Sequence, residues 1–314
     1  MSELLDKRLL FITGKGGVGK TSISTALALV ASGQGKRTLL CEIDDKGEIA
    51  SLLGVPKTSY HPKQLQRDLW VMLMETESSL REYLNFYIRL PSSLPLGPLA
   101  KAFDFIASAA PGAKEILTIG KLTHEVHENN YDLVIVDSPA TGHVMGNLIA
   151  PKAINDLISF GMIKEQTQWM LDILSDPFQT GVCVVTTPEE MPVNETIELS
   201  KKIISDTTVP LASVIVNRVL PELFSKTERQ VFDSVGNLVK NSKRSPNYDL
   251  FLDLFRASEL ALELRSNNNV HLEFLNHNLP LDVPILHLPY LFSPSKGSTM
   301  IDELKDVLSQ ELGF

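Results

Sequence analysis

Short apolar runs rich in β-branched residues recur along the chain, separated by longer stretches in which apolar positions return every three or four residues. The runs are Arg8–Thr13, Arg37–Ile43, Leu69–Met74, Tyr131–Asp137, Gly181–Thr187, Leu211–Asn217 and Val283–Leu288. Each is almost continuously apolar, the mark of a strand covered on both faces rather than one with a wet side. Such strands alternating with helices predict an α/β fold with a doubly wound, mostly parallel sheet. We expect one domain over 1–314.

Two intervals exceed a single crossover helix, about 75–130 and about 151–176, and a third region, about 221–278, stands beside them. The first two read as helical insertions and the third as a polar helical region. Within the first, Ser79 and Glu82 have capping-box spacing, and Leu80, Tyr83, Leu84, Tyr87 and Ile88 follow helical periodicity. Leu99, Phe103, Ile106 and Ala110 predict a second helix there. The second interval is unusually apolar, running from Ile154 to Leu174 through Phe160, Ile163, Trp169 and Met170. In the third, 241–247 (NSKRSPN) reads as an exposed loop. At the C-terminus, Met300, Ile301, Leu304, Val307, Leu308 and Leu312 share one helical face, and the acidic opposite face favours packing on the sheet over a lipid surface.

Charge narrows the partners. The chain carries 29 basic and 38 acidic residues, a net charge of −9, so its field repels nucleic-acid phosphate. The two cysteines, Cys41 and Cys183, form no C-x-x-C pair, which removes the usual zinc and thioredoxin motifs and fits a reducing compartment. No apolar stretch approaches the roughly 20 residues of a membrane span, and the N-terminus lacks signal-peptide order. The expectation is a cytoplasmic protein, with any membrane role peripheral.

The chemistry concentrates after the first strand. Gly14-Lys15-Gly16-Gly17-Val18-Gly19-Lys20-Thr21 satisfies G-x-x-x-x-G-K-[ST] between a predicted strand and a helical stretch beginning at Ser22. Glycines let backbone amides curl around phosphate, the helix N-terminus adds its positive end, Lys20 neutralises the β/γ oxygens and Thr21 offers a hydroxyl to Mg²⁺. Residues 14–22 are therefore the candidate nucleotide cradle. Two acidic residues close neighbouring strands, Asp44 and Asp137, where such sheets present ligands; Asp45 stands beside the first as an alternative. With Thr21, Asp44 and Asp137 form the candidate magnesium and water set.

Lys15 is not needed to cradle the phosphates of its own subunit. The run GKGGVGKT resembles the deviant Walker A loop of the MinD, nitrogenase-iron-protein and arsenite-pump ATPases, the SIMIBI-type P-loop NTPases. There the extra lysine reaches across a dimer interface to the other subunit's nucleotide. The segments 38–54 and 131–148 are similar to the two switches of the ArsA family, which joins the arsenite-pump ATPase and the ATPase that targets tail-anchored membrane proteins. The resemblance implies that Asp44 positions the attacking water, that Asp137 holds Mg²⁺ through water, and that Thr141-Gly142-His143 relays nucleotide state. Asp45-Lys46-Gly47 departs from the family's P-A-H, and Ser138-Pro139-Ala140 replaces part of its second switch.

The resemblance continues through 186–196 (TTPEEMPVNET), which looks like a family segment near the dimer interface. Asn217 and Arg218 are similar to its adenine-contacting turn, and Pro289 and Tyr290 to its final adenine loop. Pro111-Gly112-Ala113-Lys114-Glu115 resembles a P-G-x-x-E turn. What the family implies is a Mg²⁺-dependent ATPase with ATP as its nucleotide, acting as a homodimer or as a heterodimer with a paralogue. Lys15, Lys20 and Asp44 would carry catalysis, and a hydrophobic or membrane-protein client would be bound and released. Two cysteines in separate strands cannot build the family's metalloid thiolate cluster, and no C-x-x-C pair is present for zinc. A soluble energising subunit of an anion exporter and a weakly hydrolysing nucleotide-gated sensor are the alternative functions.

Overall fold

In the computed structural model, described for residues 2–43, 47–88, 112–241, 248–280, 283–292 and 297–314, every apolar run of the sequence becomes a strand. These are β1 (Leu9–Gly14), β2 (Thr38–Glu42), β4 (Leu69–Leu73), β5 (Leu133–Asp137), β6 (Thr180–Thr186), β7 (Leu211–Val219) and β8 (Ile285–Pro289). One further strand, β3 (Lys63–Gln66), pairs antiparallel with β4 at the sheet edge; all other pairings are parallel. The order is β3-β4-β2-β5-β1-β6-β7-β8. From β1 the chain first winds toward β2 and β4, and later fills the opposite side with β6, β7 and β8. The winding direction thus reverses at β1, and the crevice beyond the carboxyl ends of β1, β5 and β2 is the ligand position of such sheets.

Strand periodicity sends alternate residues to two separate cores. Leu10 and Ile12 of β1, with Leu40, Ile135 and Ile215, face α1 (Lys20–Gly33), α2 (Glu48–Leu53) and the C-terminal helix α10 (Ser298–Leu312). Leu9 and Phe11, with Leu39, Val134 and Val214, face α4 (Ala113–His127), α5 (Thr141–Leu157), α6 (Met162–Ser175), α7 (Glu190–Asp206) and the end of α9 (Tyr248–Asn278). The predicted apolar face of α10 is the buried one, with Ile301, Leu304, Leu308 and Leu312 packed toward α1. Cys41 and Cys183 are both buried, on opposite faces of the sheet.

The insertions hold α3 (Thr76–Ile88), α4 and α6, and the polar region holds α8 (Lys226–Asn241) and α9. One expectation is corrected here: Ser79 and Glu82 do not form a capping box. Helix α3 begins earlier, so Ser79 N–H already donates to Glu75 O at 2.9 Å, and its hydroxyl turns to Met74 Sδ. Glu82 is occupied across the fold by the Tyr60 hydroxyl and by Lys121 at 2.9 Å. The predicted helix around Leu99, Phe103, Ile106 and Ala110 lies outside the described residues, as does most of the loop 241–247.

Candidate nucleotide site

The loop after β1 takes its shape from glycines that other residues could not replace. Gly14 (φ 145°) passes so close to β6 that a Cβ there would collide with the Val185 carbonyl. Gly19 (φ 97°) lies against Asn217, whose carboxamide a Cβ would meet at 2.5 Å. Left-handed backbone at these points turns successive N–H groups inward. Gly19 is also the N-cap of α1 and contributes no side-chain cap, so the first amides of the helix stay available to an anion.

Gly16, Gly17, Gly19, Lys20, Thr21 and Ser22 line a cleft of about 600 Å³ together with Glu42, Glu48 and Asp137. Lys20 Nζ curls back to the Lys15 carbonyl at 3.2 Å, across the mouth of the loop. The Thr21 hydroxyl stands 2.8 Å from Asp137 Oδ2 and 3.1 Å from Glu48 Oε2, and its single proton can serve only one of them. β2 and β5 pair in register at Glu42 and Asp137, which brings both carboxylates to the same end of the sheet. Asp137 Oδ1 and Glu42 Oε2 are buried without a partner.

Burial raises both carboxyls above their ordinary values. Asp137 reaches about 6, desolvation outweighing the Thr21 hydrogen bond and the Lys20 charge, while Glu42 is raised by desolvation against backbone N–H donors from Glu48, Ile49 and Gly47. Orphaned acceptors and raised carboxyls in one cleft leave an excess of negative charge that a cation would relieve. Among the described residues no three metal-type side chains converge as a self-sufficient metal centre. Mg²⁺ suits such a site, since it keeps waters and shares phosphate oxygens instead of requiring a protein cage.

The remaining predicted residues are placed as follows. Val18 is buried, and its carbonyl accepts from Asn217 Nδ2 at 2.9 Å, so the end of β7 braces the loop. Arg218 takes a left-handed φ of 61° beside it, and its N–H donates to Asn217 Oδ1 at 2.9 Å. Pro289 ends β8, and Tyr290 N–H donates to Val219 O at 2.8 Å, joining the ends of β7 and β8. These four positions gather at one sheet end beside the loop but do not line the cleft. Lys15 turns away from the cleft and pairs with Glu195 of α7. Asp44, Asp45 and Lys46 lie outside the described residues.

The ArsA ATPase family model, described as anion-transporting ATPase, matches residues 7–171 and 156–240. The chain belongs to the ArsA ATPase family. Its relatives include the ATPase BagA of Mycobacterium tuberculosis, 32% identical over 231 residues that cover 70% of this chain and 67% of that protein. A putative ATPase of Mycobacterium bovis is equally similar over the same shares. A putative arsenical pump-driving ATPase of Aquifex aeolicus is 26% identical over 247 residues, 68% of this chain and 81% of its own. As an ArsA-family member the chain is an ATP-binding, ATP-hydrolysing P-loop protein with the deviant lysine. Among the described residues no helix is long and apolar enough to cross a membrane.

Three acidic residues around this ArsA-family site were not singled out by the sequence. Glu42 was visible only as a charge in an otherwise apolar strand, and Glu48 only as a helix-start acid. Glu195 lay inside a segment matched to the family, but nothing in its spacing pointed to Lys15.

Proposed function

We propose that this ArsA-family ATPase is an Mg²⁺-dependent, ATP-driven dimeric switch that binds and releases a hydrophobic or membrane-protein client. The observation that carries the reading is the direction of Lys15. It leaves the phosphate cradle of its own chain and is parked on Glu195 through a pair whose side chains are 27% and 36% exposed. An ion pair this exposed is weak, worth about 0–1 kcal/mol, so the lysine is readily released to a better anion. A nucleotide on a second subunit offers one, and there the lysine would act as an arginine finger does.

In this reading Lys20 and the loop amides hold the phosphates. Thr21, with Asp137 and Glu42 behind it, holds the Mg²⁺, which supplies charge neutralisation on the phosphate oxygens when bound. Asp44 positions the attacking water. Helix α5 begins at Thr141, directly after the segment that leaves Asp137, so a change at the nucleotide is passed along a rigid element to the insertions. At the far end of α5 an apolar patch meets solvent, with Leu157 83% and Phe160 87% exposed and Ile163 following on α6. Exposed apolar surface of this kind supports a hydrophobic client. The burial of Cys41 and Cys183 on opposite faces argues against a shared thiolate site for a metalloid.

The test is the solution mass of the Asp44→Asn variant with ADP and with ATP·Mg²⁺. We expect a monomer with ADP and a dimer with ATP. One mass in both states overturns the switch.

A further inference from the structure

Helices α3, α4, α5 and α6 enclose a second cavity, of about 400 Å³, which shares no lining residue with the nucleotide cleft. That volume falls within the range of small-molecule sites, and so does its character: an apolar wall with few polar groups. Leu80, Ile116, Leu117, Trp169 and Met170 are among the apolar residues of the wall. Water is a poor occupant, because a buried water seeks about three polar partners and this wall offers few.

One polar side chain of the cavity wall is left unsatisfied. Gln166 is 5% exposed; its Oε1 accepts from the Tyr83 hydroxyl at 2.9 Å, and its Nε2 has no partner. A buried N–H donor left unpaired is costly, so the natural occupant brings an acceptor. The nearby Lys121 is already committed, with Nζ 2.6 Å from Glu125 and 2.9 Å from Glu82. Two carboxylates around one ammonium leave the local charge negative, which disfavours an anionic ligand. The half-buried Ile154 and Ile158 and the exposed Ile163 mark a way in between α5 and α6.

We infer that this cavity binds a small, neutral, mainly apolar molecule carrying a hydrogen-bond acceptor, such as a medium-chain ester, with its acceptor on Gln166. The inference stands on the cavity alone and does not depend on dimerisation or on the nucleotide.

The test titrates the full chain with methyl octanoate, octanoate and nonane, reading Trp169 emission in a Trp70→Phe background and heat by calorimetry. Methyl octanoate should give saturable binding, with nonane weaker by about fivefold or more, the worth of one buried hydrogen bond, and octanoate weaker because its charge is desolvated beside Glu82 and Glu125. Gln166→Leu should bring the ester and nonane to equal affinity. Ile158→Phe, at the half-buried mouth, should weaken the ester about tenfold with the fold intact and serves if Gln166→Leu does not fold. Absence of saturable ester binding, an ester no better than nonane, a Gln166→Leu variant that keeps the ester preference, or unchanged ester binding by Ile158→Phe would each overturn the inference.

Discussion

Asp137→Asn should make the nucleotide-free protein more stable while destroying the response to Mg²⁺ and nucleotide. Burial lifts the Asp137 carboxyl from an ordinary 3.8 to about 6 in the folded chain. A difference of about 2 units, at about 1.4 kcal/mol per unit, is about 3 kcal/mol. The sign follows from where the proton sits. The folded state holds it more tightly than the unfolded chain, so this contribution is complete below pH 3.8 and is lost as pH rises through about 6. At pH 8 the native protein therefore retains a desolvated, ionised carboxylate, with its Oδ1 unpartnered beside Glu42. Asparagine stays neutral and can still accept from Thr21. In urea unfolding without nucleotide, we expect the variant to exceed the wild type by about 3 kcal/mol at pH 8, with the gain shrinking to about 1 kcal/mol at pH 4.5. Adding ADP and Mg²⁺ should stabilise the wild type and leave the variant almost unmoved. A variant less stable than the wild type at pH 8, or a gain of equal size at both pH values, would refute the reasoning.

Lys20→Ala should remove nucleotide binding, seen in calorimetry as loss of measurable heat with ADP or ATP, while the far-UV circular dichroism of the fold is kept. Glu195→Gln frees Lys15 and should tighten ATP-dependent association about twofold in sedimentation, corresponding to about 0.5 kcal/mol for a pair this exposed; weaker association would show that Glu195 helps the closed state instead. Gly14→Ala should cost about 3 kcal/mol or more in thermal unfolding, because its Cβ has nowhere to go against Val185. Gly16→Ala, with open space around it and no left-handed φ, should leave stability unchanged.

The strands were legible because a strand buried on both faces must be apolar at almost every position. Runs such as 133–136 (LVIV) admit little else at that length. The phosphate loop was legible for a related reason: its amides come from consecutive residues, so the geometry that grips phosphate is written in one stretch, Gly14 to Thr21. Strand β3 was not legible. Its residues are KQLQ, and a polar segment becomes an edge strand only because β4 offers its one free side. The Ser79 and Glu82 spacing misled because a capping pattern describes only local partners, whereas Tyr60 and Lys121 claimed Glu82 from elsewhere in the fold. Glu42 became part of the nucleotide cleft through its register with Asp137, and Lys15 met Glu195, 180 residues away, because β1 and α7 pack on one side of the sheet. Sequence alone determined what consecutive residues can settle among themselves, the buried strands and the phosphate-gripping loop. Which charges stand together was decided by the tertiary structure, since strand order and crossovers set those distances and no local spacing encodes them.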